Sequence, residues 1–393
     1  MNRSRLTEEF RSSSVLNGDI VVAERYTHPV RGPVVCPAAP LLVAWLRGQG
    51  VPARPGSFDR LSPSEGRAAG AARTVVASTS YLDGPGRAVG LAVAAGRDDA
   101  EVATAAVRTW SAVLRTRRVI LPFPNRSGSS ERHQEGAARS VPGTRREAAM
   151  DPRPQGSGCV DPGCPGESTA WGAVREYQGR GDTVLMLGRR AGRESALRTP
   201  AGVDADRCVP VRTLEDAGEE LRAEAERLSF VVRPCAPIEE VAPLLRGLRE
   251  RFPLLRGQHP DDWCYAASDR RNSHRLAAEA SDLVLVLGDP PDADPLDADP
   301  LDLGRTQQRR ISTLADLAPQ DLRNAGTITL ADADTGTDTP VGVTVADLIG
   351  VLGGLGPLSV VRQGVRTETD AAARDPRGAD PRGADPRGAM EPA

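Results

Sequence analysis

Short aliphatic runs recur between amphipathic helical stretches, and this alternation limits the fold more than any other feature of the chain. DIVVA, RTVVAS, GLAVAA and VILPF read as strands in the first third, and DTVLML, LSFVV, DLVLVL and TITL in the rest. PAAPLLVAWLRGQG reads as a helix stopped by glycine, and DDAEVATAAVRTWSAVLRTRR as one whose acidic start and basic end suit the helix dipole. Further helices are expected over WGAVREYQGRG, PIEEVAPLLRGLRERF, ASDRRNSHRLAAEA and TLEDAGEELRAEAERL, the last with Thr213 as N-cap. Strands alternating with helices predict an α/β fold of repeated small βαβ domains with mostly parallel sheets, preceded by an N-terminal α/β unit.

Composition sets the expected boundaries. Residues 1–16 read as a disordered tail and 17–123 as the N-terminal α/β domain. Residues 124–160 are rich in Pro, Gly, Ser and Arg and lack aliphatic periodicity, which is linker composition. A second α/β region of two repeats covers 161–366, and the repeated DPRGA tail, 367–393, has too little apolar content to fold by burial.

With a net charge of −3, the chain is not a general binder of nucleic acid or of membrane surfaces. No run of about 18 apolar residues is present, and MNRSRLTEEFRSSS lacks the apolar core of a secretory signal, so a cytoplasmic protein is expected. All 50 Lys+Arg residues are arginine, which excludes Schiff-base and phosphate-loop lysine chemistry.

Cysteines stand at 36, 159, 164, 208, 235 and 264. In a cytoplasmic chain they point to metal binding, catalysis or packing rather than to disulfides. DPGCPGES sets Cys164 at the start of a helix and DDWCYAASDR sets Cys264 just before another, positions that favour thiolate. Two such thiolates could serve one metal centre. Cys36, in VVCPAAPLLVAW, precedes an apolar helix and reads as packed. DADPLDADPLD, 292–302, follows the strand DLVLVLG, where open α/β sheets bind ligands. It reads as a solvated acidic loop, since no glycine turn or closing glutamate completes a calcium loop. His133, His259 and His274 read as surface or loop residues, no GxSxG elbow occurs, and GGLGP is a helix stop.

DPGCP, GDTVLMLG, FP, DDWCYA, DLVLVLG and TGTDTPVGVTVADLI follow one another in an order that resembles the 4-hydroxy-3-methylbut-2-enyl diphosphate reductase (LytB/IspH) family, over about residues 159–366. The resemblance implies similar α/β domains around a [4Fe–4S] cluster held by three cysteines, with Cys164 and Cys264 as two of the ligands. It also implies reductive dehydroxylation of an allylic diphosphate in isoprenoid biosynthesis, with electrons from a donor such as ferredoxin or flavodoxin.

The chain departs from that pattern at several places. PFPNRSGS has no cysteine where the first ligand would stand, which leaves Cys36 or Cys159 as substitutes. The turn GRRAGRES has Arg189 and Gly192 in place of histidines, and Glu194 falls on the proton-relay glutamate. Pro234 replaces a threonine and Asp269 an asparagine. The substrate-binding serine–serine–asparagine loop becomes Asp292, Ala293 and Asp294, and a last phosphate-binding serine becomes Asp338. Like charges about 4 Å apart repel by roughly 4 kcal/mol near a protein surface. Three carboxylates would therefore offset micromolar diphosphate binding, worth about 8 kcal/mol. The expectation is a degenerate homologue of the iron–sulfur oxidoreductase; the alternative is a non-catalytic binding or accessory protein that keeps the fold.

Overall fold

The computed structural model describes residues 5–12, 20–58, 62–63, 74–122, 165–189, 200–218, 221, 225–288, 306–332 and 342–367. Strands β1 (Leu6–Ser12), β2 (Ile20–His28) and β3 (Gly32–Val35) precede helix α1 (Ala39–Gly48) and strands β4 (Ala53–Phe58) and β5 (Ser62–Pro63). β6 (Thr74–Leu82), β7 (Ala88–Gly96), α2 (Ala100–Ser111) and β8 (Arg117–Pro122) follow. Next come α3 (Pro165–Gly179), β9 (Thr183–Leu187), β10 (Cys208–Val211), β11 (Leu228–Val232), α4 (Ile238–Arg251) and β12 (Arg256–Gly257). The remaining elements are α5 (Ala266–Glu279), β13 (Leu283–Leu287), β14 (Gln307–Ile311), α6 (Pro319–Leu322), β15 (Thr327–Asp332), α7 (Val345–Gly353) and β16 (Leu358–Gln363). The chain divides into two units, Met1–Ser157 with Arg270–Val365, and Gly158–Asp269 with Arg366–Ala393.

The second unit is a parallel four-stranded sheet in the order β10-β9-β11-β12. Period-two alternation splits β9 between its two faces: Leu185 and Leu187 join Leu244, Leu245 and Leu248 of α4, while Val184 and Met186 join Trp171 and Val174 of α3. Helix α4 buries Val241, Leu244, Leu245 and Leu248 at helical spacing. Gly188 ends β9 at φ +93°, and a Cβ there would lie 2.8 Å from Val241 and 2.9 Å from Ala236, so glycine lets the sheet end and α4 close together.

The first unit contains two sheets that share a single hydrophobic core. The seven-stranded sheet, β4-β2-β3-β7-β6-β1-β5, is mostly antiparallel, and the five-stranded sheet, β14-β13-β15-β8-β16, is wholly parallel. Two sequence expectations are corrected here. Leu6–Ser12, read as part of a loose tail, is β1 and pairs along its whole length with β6. It is fastened by His28, whose Nε2 lies 2.6 Å from Glu8 Oε2 while its Nδ1 accepts the Val30 and Arg31 N–H groups. VILPF, read as closing the N-terminal domain, does form a strand, but β8 lies between β15 and β16 rather than in the seven-stranded sheet.

Arg117, at the start of β8, is 2 % exposed. Its guanidinium donates to the carbonyls of Ala325 (3.2 Å), Arg115 (3.4 Å), Leu355 (3.2 Å), Val113 (2.5 Å) and Leu322 (3.2 Å). These acceptors lie on the segments entering β8, β15 and β16, so one side chain ties the starts of three neighbouring strands. Gly356, at φ +137°, lets the chain entering β16 pass against the Arg115 carbonyl, where a Cβ would collide.

The parallel sheets of the two units follow one plan. In each, a strand (β9, β13) pairs with the next strand on its outer side (β10, β14) and with the one after that on its inner side (β11, β15). Asp182 accepts from Ser229 on β11, and Asp282 accepts from Gly326 and Thr327 at the start of β15. Gly188 and Gly288 both have positive φ, and both donate to the adjacent strand, to Val211 and Ile311 respectively. Asp216 accepts from the N–H groups of Arg212 and Thr213, and Asp316 from those of Ser312 and Thr313. That turn is why the helix expected from Thr213 onward does not start there: the Asp216 carboxylate takes the amides a helix would leave free, and residues 212–218 run as bends and turns.

Candidate functional site

The candidate site lies in the second unit, at the C-terminal ends of β9 and β11 and the first turns of α4 and α5, the usual position for ligands in an open parallel sheet. After β11 the chain passes through Arg233, Pro234 and Cys235, and the Ala236 amide donates back to the Arg233 carbonyl. Cys235 has φ +61°, the only non-glycine residue with positive φ among the described residues, and its side chain is buried. The left-handed region is uncommon for a residue that carries a Cβ. Ser268, in the first turn of α5, accepts from the Ile238 amide at 2.9 Å and donates to Glu239 at 2.9 Å, which locks the starts of α4 and α5 together. Arg189, just after β9, lies 3.6 Å from Glu240.

DDWCYA forms a 3-10 turn at Pro260–Asp262, in which the Asp262 and Trp263 amides donate to the carbonyls of His259 and Pro260. Trp263 packs on the core shared with α4. Cys264 follows, half-buried and not in a disulfide, two residues ahead of α5 at the positive end of the helix dipole. This agrees with the expectation that it stands just before a helix. Asp269 is 5 % exposed and accepts the Thr367 amide on both carboxylate oxygens at 3.0 Å and the Thr367 hydroxyl at 2.6 Å. No sequence signal links these residues, because polar contacts between distant segments leave no periodic trace. His274, read as a surface residue, is buried on α5 with Nδ1 2.9 Å from the Arg270 carbonyl.

Of the other expected site residues, Cys159, Cys164, Glu194, Asp292, Asp294 and Asp338 lie outside the described residues. Cys36 is corrected as a possible ligand. It is 2 % exposed within the first unit's core, and burial pushes its thiol up to about 12, so it is held as a protonated packing group. Burial likewise raises the Cys208 thiol above its ordinary value. Among the described residues no three His, Cys, Asp or Glu side chains are grouped to hold a metal ion. The described thiols therefore do not fit a three-cysteine cluster, and Cys264 alone among them stands where such a ligand is expected.

A family profile described as LytB protein matches residues 139–344, more than half of the chain. The chain belongs to the LytB family. The match takes in α3 through β15 and leaves out Cys36 and the seven-stranded sheet. A 4-hydroxy-3-methylbut-2-enyl diphosphate reductase of Mesorhizobium japonicum is 25 % identical over 213 residues, covering 54 % of this chain and 62 % of the relative. A reductase of the same name, numbered 2, from Mycobacterium bovis is 29 % identical over 225 residues, covering 53 % and 62 %. The chain thus spans less than two thirds of the length of these LytB relatives. The solved structure of the E-1-hydroxy-2-methyl-but-2-enyl-4-diphosphate reductase from Plasmodium falciparum superposes with a TM-score of 0.38 at 16 % identity, covering 52 % of this chain and 64 % of that one. No helix among the described residues is long and apolar enough to cross a membrane.

Proposed function

We propose that this chain keeps the α/β scaffold of the LytB reductases without their reductive dehydroxylation, as a non-catalytic family member. The burial of Cys36 carries this reading. The segment that would supply a first cluster ligand has no cysteine, and the described substitute, Cys36, is buried in the hydrophobic core of the first unit. Cys164 and Cys264 remain as matching thiols, with Cys159 as the other substitute for the third place. The substrate side supports the same conclusion. Asp292, Asp294 and Asp338 stand where hydroxyl and amide donors would meet a diphosphate, and carboxylates repel it.

A second reading, a working [4Fe–4S] reductase acting on an allylic diphosphate with ferredoxin or flavodoxin as donor, is favoured by the position of Cys264 ahead of α5. One experiment separates the two. The full chain and its Cys159→Ser and Cys264→Ser variants are reconstituted anaerobically with iron and sulfide. Iron per chain is then counted, and consumption of 4-hydroxy-3-methylbut-2-enyl diphosphate is followed with a chemical reductant. The non-catalytic reading expects no turnover and the same iron content in all three proteins. Iron bound by the wild type and lost in Cys264→Ser overturns it.

A further inference from the structure

We propose that the cleft between α4 and the turn preceding α5 is a binding site for a small organic monoanion with an apolar body. The cleft measures about 470 Å³ and is lined by Ala242, Leu245, Arg246, Arg249, Glu250 and Trp263, all within the second unit. That volume is in the range of small-molecule sites, which combine an apolar base with a few polar groups.

Ala242, Leu245, Arg246 and Arg249 stand at i, i+3, i+4 and i+7, so they form one stripe along α4. Leu245 is buried in the unit's core and Trp263 packs against the same core, which gives the cleft its apolar base. Arg246 and Arg249 are exposed, and the Arg249 guanidinium lies 5.6 Å from the centroid of the Phe230 ring, a cation–π contact that steadies it. The two arginines are one turn apart, and like charges at that spacing destabilise a helix unless an anion lies between them. Among the described residues neither has a carboxylate within ion-pair distance, Glu250 included.

Trp263 supplies an independent observation. Its indole Nε1–H is shielded from solvent and has no acceptor among the described residues. Buried donors are nearly always paired, so a ligand oxygen in the cleft would complete this one. The charges select the ligand class. Two arginines and Glu250 leave the lining with one net positive charge, which matches a monocarboxylate; the additional charges of a diphosphate would meet Glu250. A carboxylate fits the guanidinium fork, and an aromatic body lies against Leu245 and Trp263. The site therefore stands whether or not the chain reduces a diphosphate.

The test is a titration of the full chain, isotope-labelled at its tryptophan indole nitrogens, with phenylacetate, followed by NMR. Of the signals from the four tryptophans, the one missing in Trp263→Phe belongs to Trp263. It is expected to move saturably with a dissociation constant of about 1 mM, modest for a ligand of this size. Phenylacetamide and inorganic pyrophosphate should bind about tenfold more weakly or not at all, since one lacks the charge and the other the apolar body. Arg246→Gln and Arg249→Gln each remove a charged donor from an exposed position and should weaken phenylacetate about tenfold. Glu250→Gln removes a repelling carboxylate and should tighten it about threefold. A Trp263 signal unmoved at about 10 mM phenylacetate, ten times the expected constant, overturns the proposal. Equal binding of phenylacetamide or pyrophosphate overturns it too, as does phenylacetate binding that both arginine variants leave unchanged.

Discussion

Replacing Arg117 with methionine tests how the five-stranded sheet is held together. Methionine keeps much of the apolar stem but takes the guanidinium donor from the carbonyls of Val113, Arg115, Leu322 and Ala325, while the Leu355 carbonyl keeps the Arg115 N–H at 3.2 Å. Burial, and next the neighbouring Arg115, lower the Arg117 pKa to about 10, which still leaves the guanidinium charged at neutral pH. The bonds being lost are thus charge-assisted. A stranded buried acceptor costs about 1–3 kcal/mol, so four at the low end, with partial relief by entering water, amount to about 2–4 kcal/mol. Arg117→Lys provides three donors for five acceptors and should lose about 2 kcal/mol. Urea unfolding followed by the fluorescence of Trp45 and Trp110, both packed with the first unit's core, measures the difference. The reasoning fails if Arg117→Met is within about 1 kcal/mol of wild type, because the bonds would then only offset the desolvation of the buried charge.

Two other expectations follow from the same structure. Burial keeps Cys36 protonated to about 12, whereas an exposed thiol ionises near 9, so above pH 9 the unfolded chain binds fewer protons than the folded one. Stability should then fall by about 1.4 kcal/mol per pH unit from pH 9 upward on account of this thiol, and urea midpoints between pH 7 and 10 should fall less steeply in Cys36→Ala; an unchanged slope refutes the assignment. Asp216→Ala and Asp316→Ala remove equivalent amide acceptors and should each cost about 0.5–2 kcal/mol in urea unfolding. A large loss from one and none from the other would show that the two turns are not energetically equivalent.

The aliphatic strands were the most legible elements. TVLML, LSFVV and LVLVL are buried at every position, and their alternation divides side chains between the two faces of a covered sheet. What the pattern could not express was which sheet a strand joins: VILPF reads the same beside β7 as between β15 and β16. The turn at Thr213 was misread because TLEDAGEELRAEAERL has good helical composition, and the carboxylate–amide bonds of Asp216 override propensity. A comparison of the chain with itself would have exposed the error, since TLED and TLAD recur after equivalent strands. At the candidate site, the place of Cys264 before a helix was readable from local composition. The burial of Asp269 and His274 was not, because α5 is polar by composition and the partner of Asp269, Thr367, lies far along the chain.

The position of β8 between β15 and β16 also has a consequence for synthesis on the ribosome. This strand emerges with the N-terminal third, yet both of its partners are translated only after half the chain has followed it. Gly158–Asp269 can complete its own parallel sheet in the meantime. The first unit cannot, because β8 lacks its neighbour β16 until the last strand emerges. Nascent chains halted before residue 358 should therefore contain a protease-resistant second unit alongside an unfinished first one that chaperones would recognise.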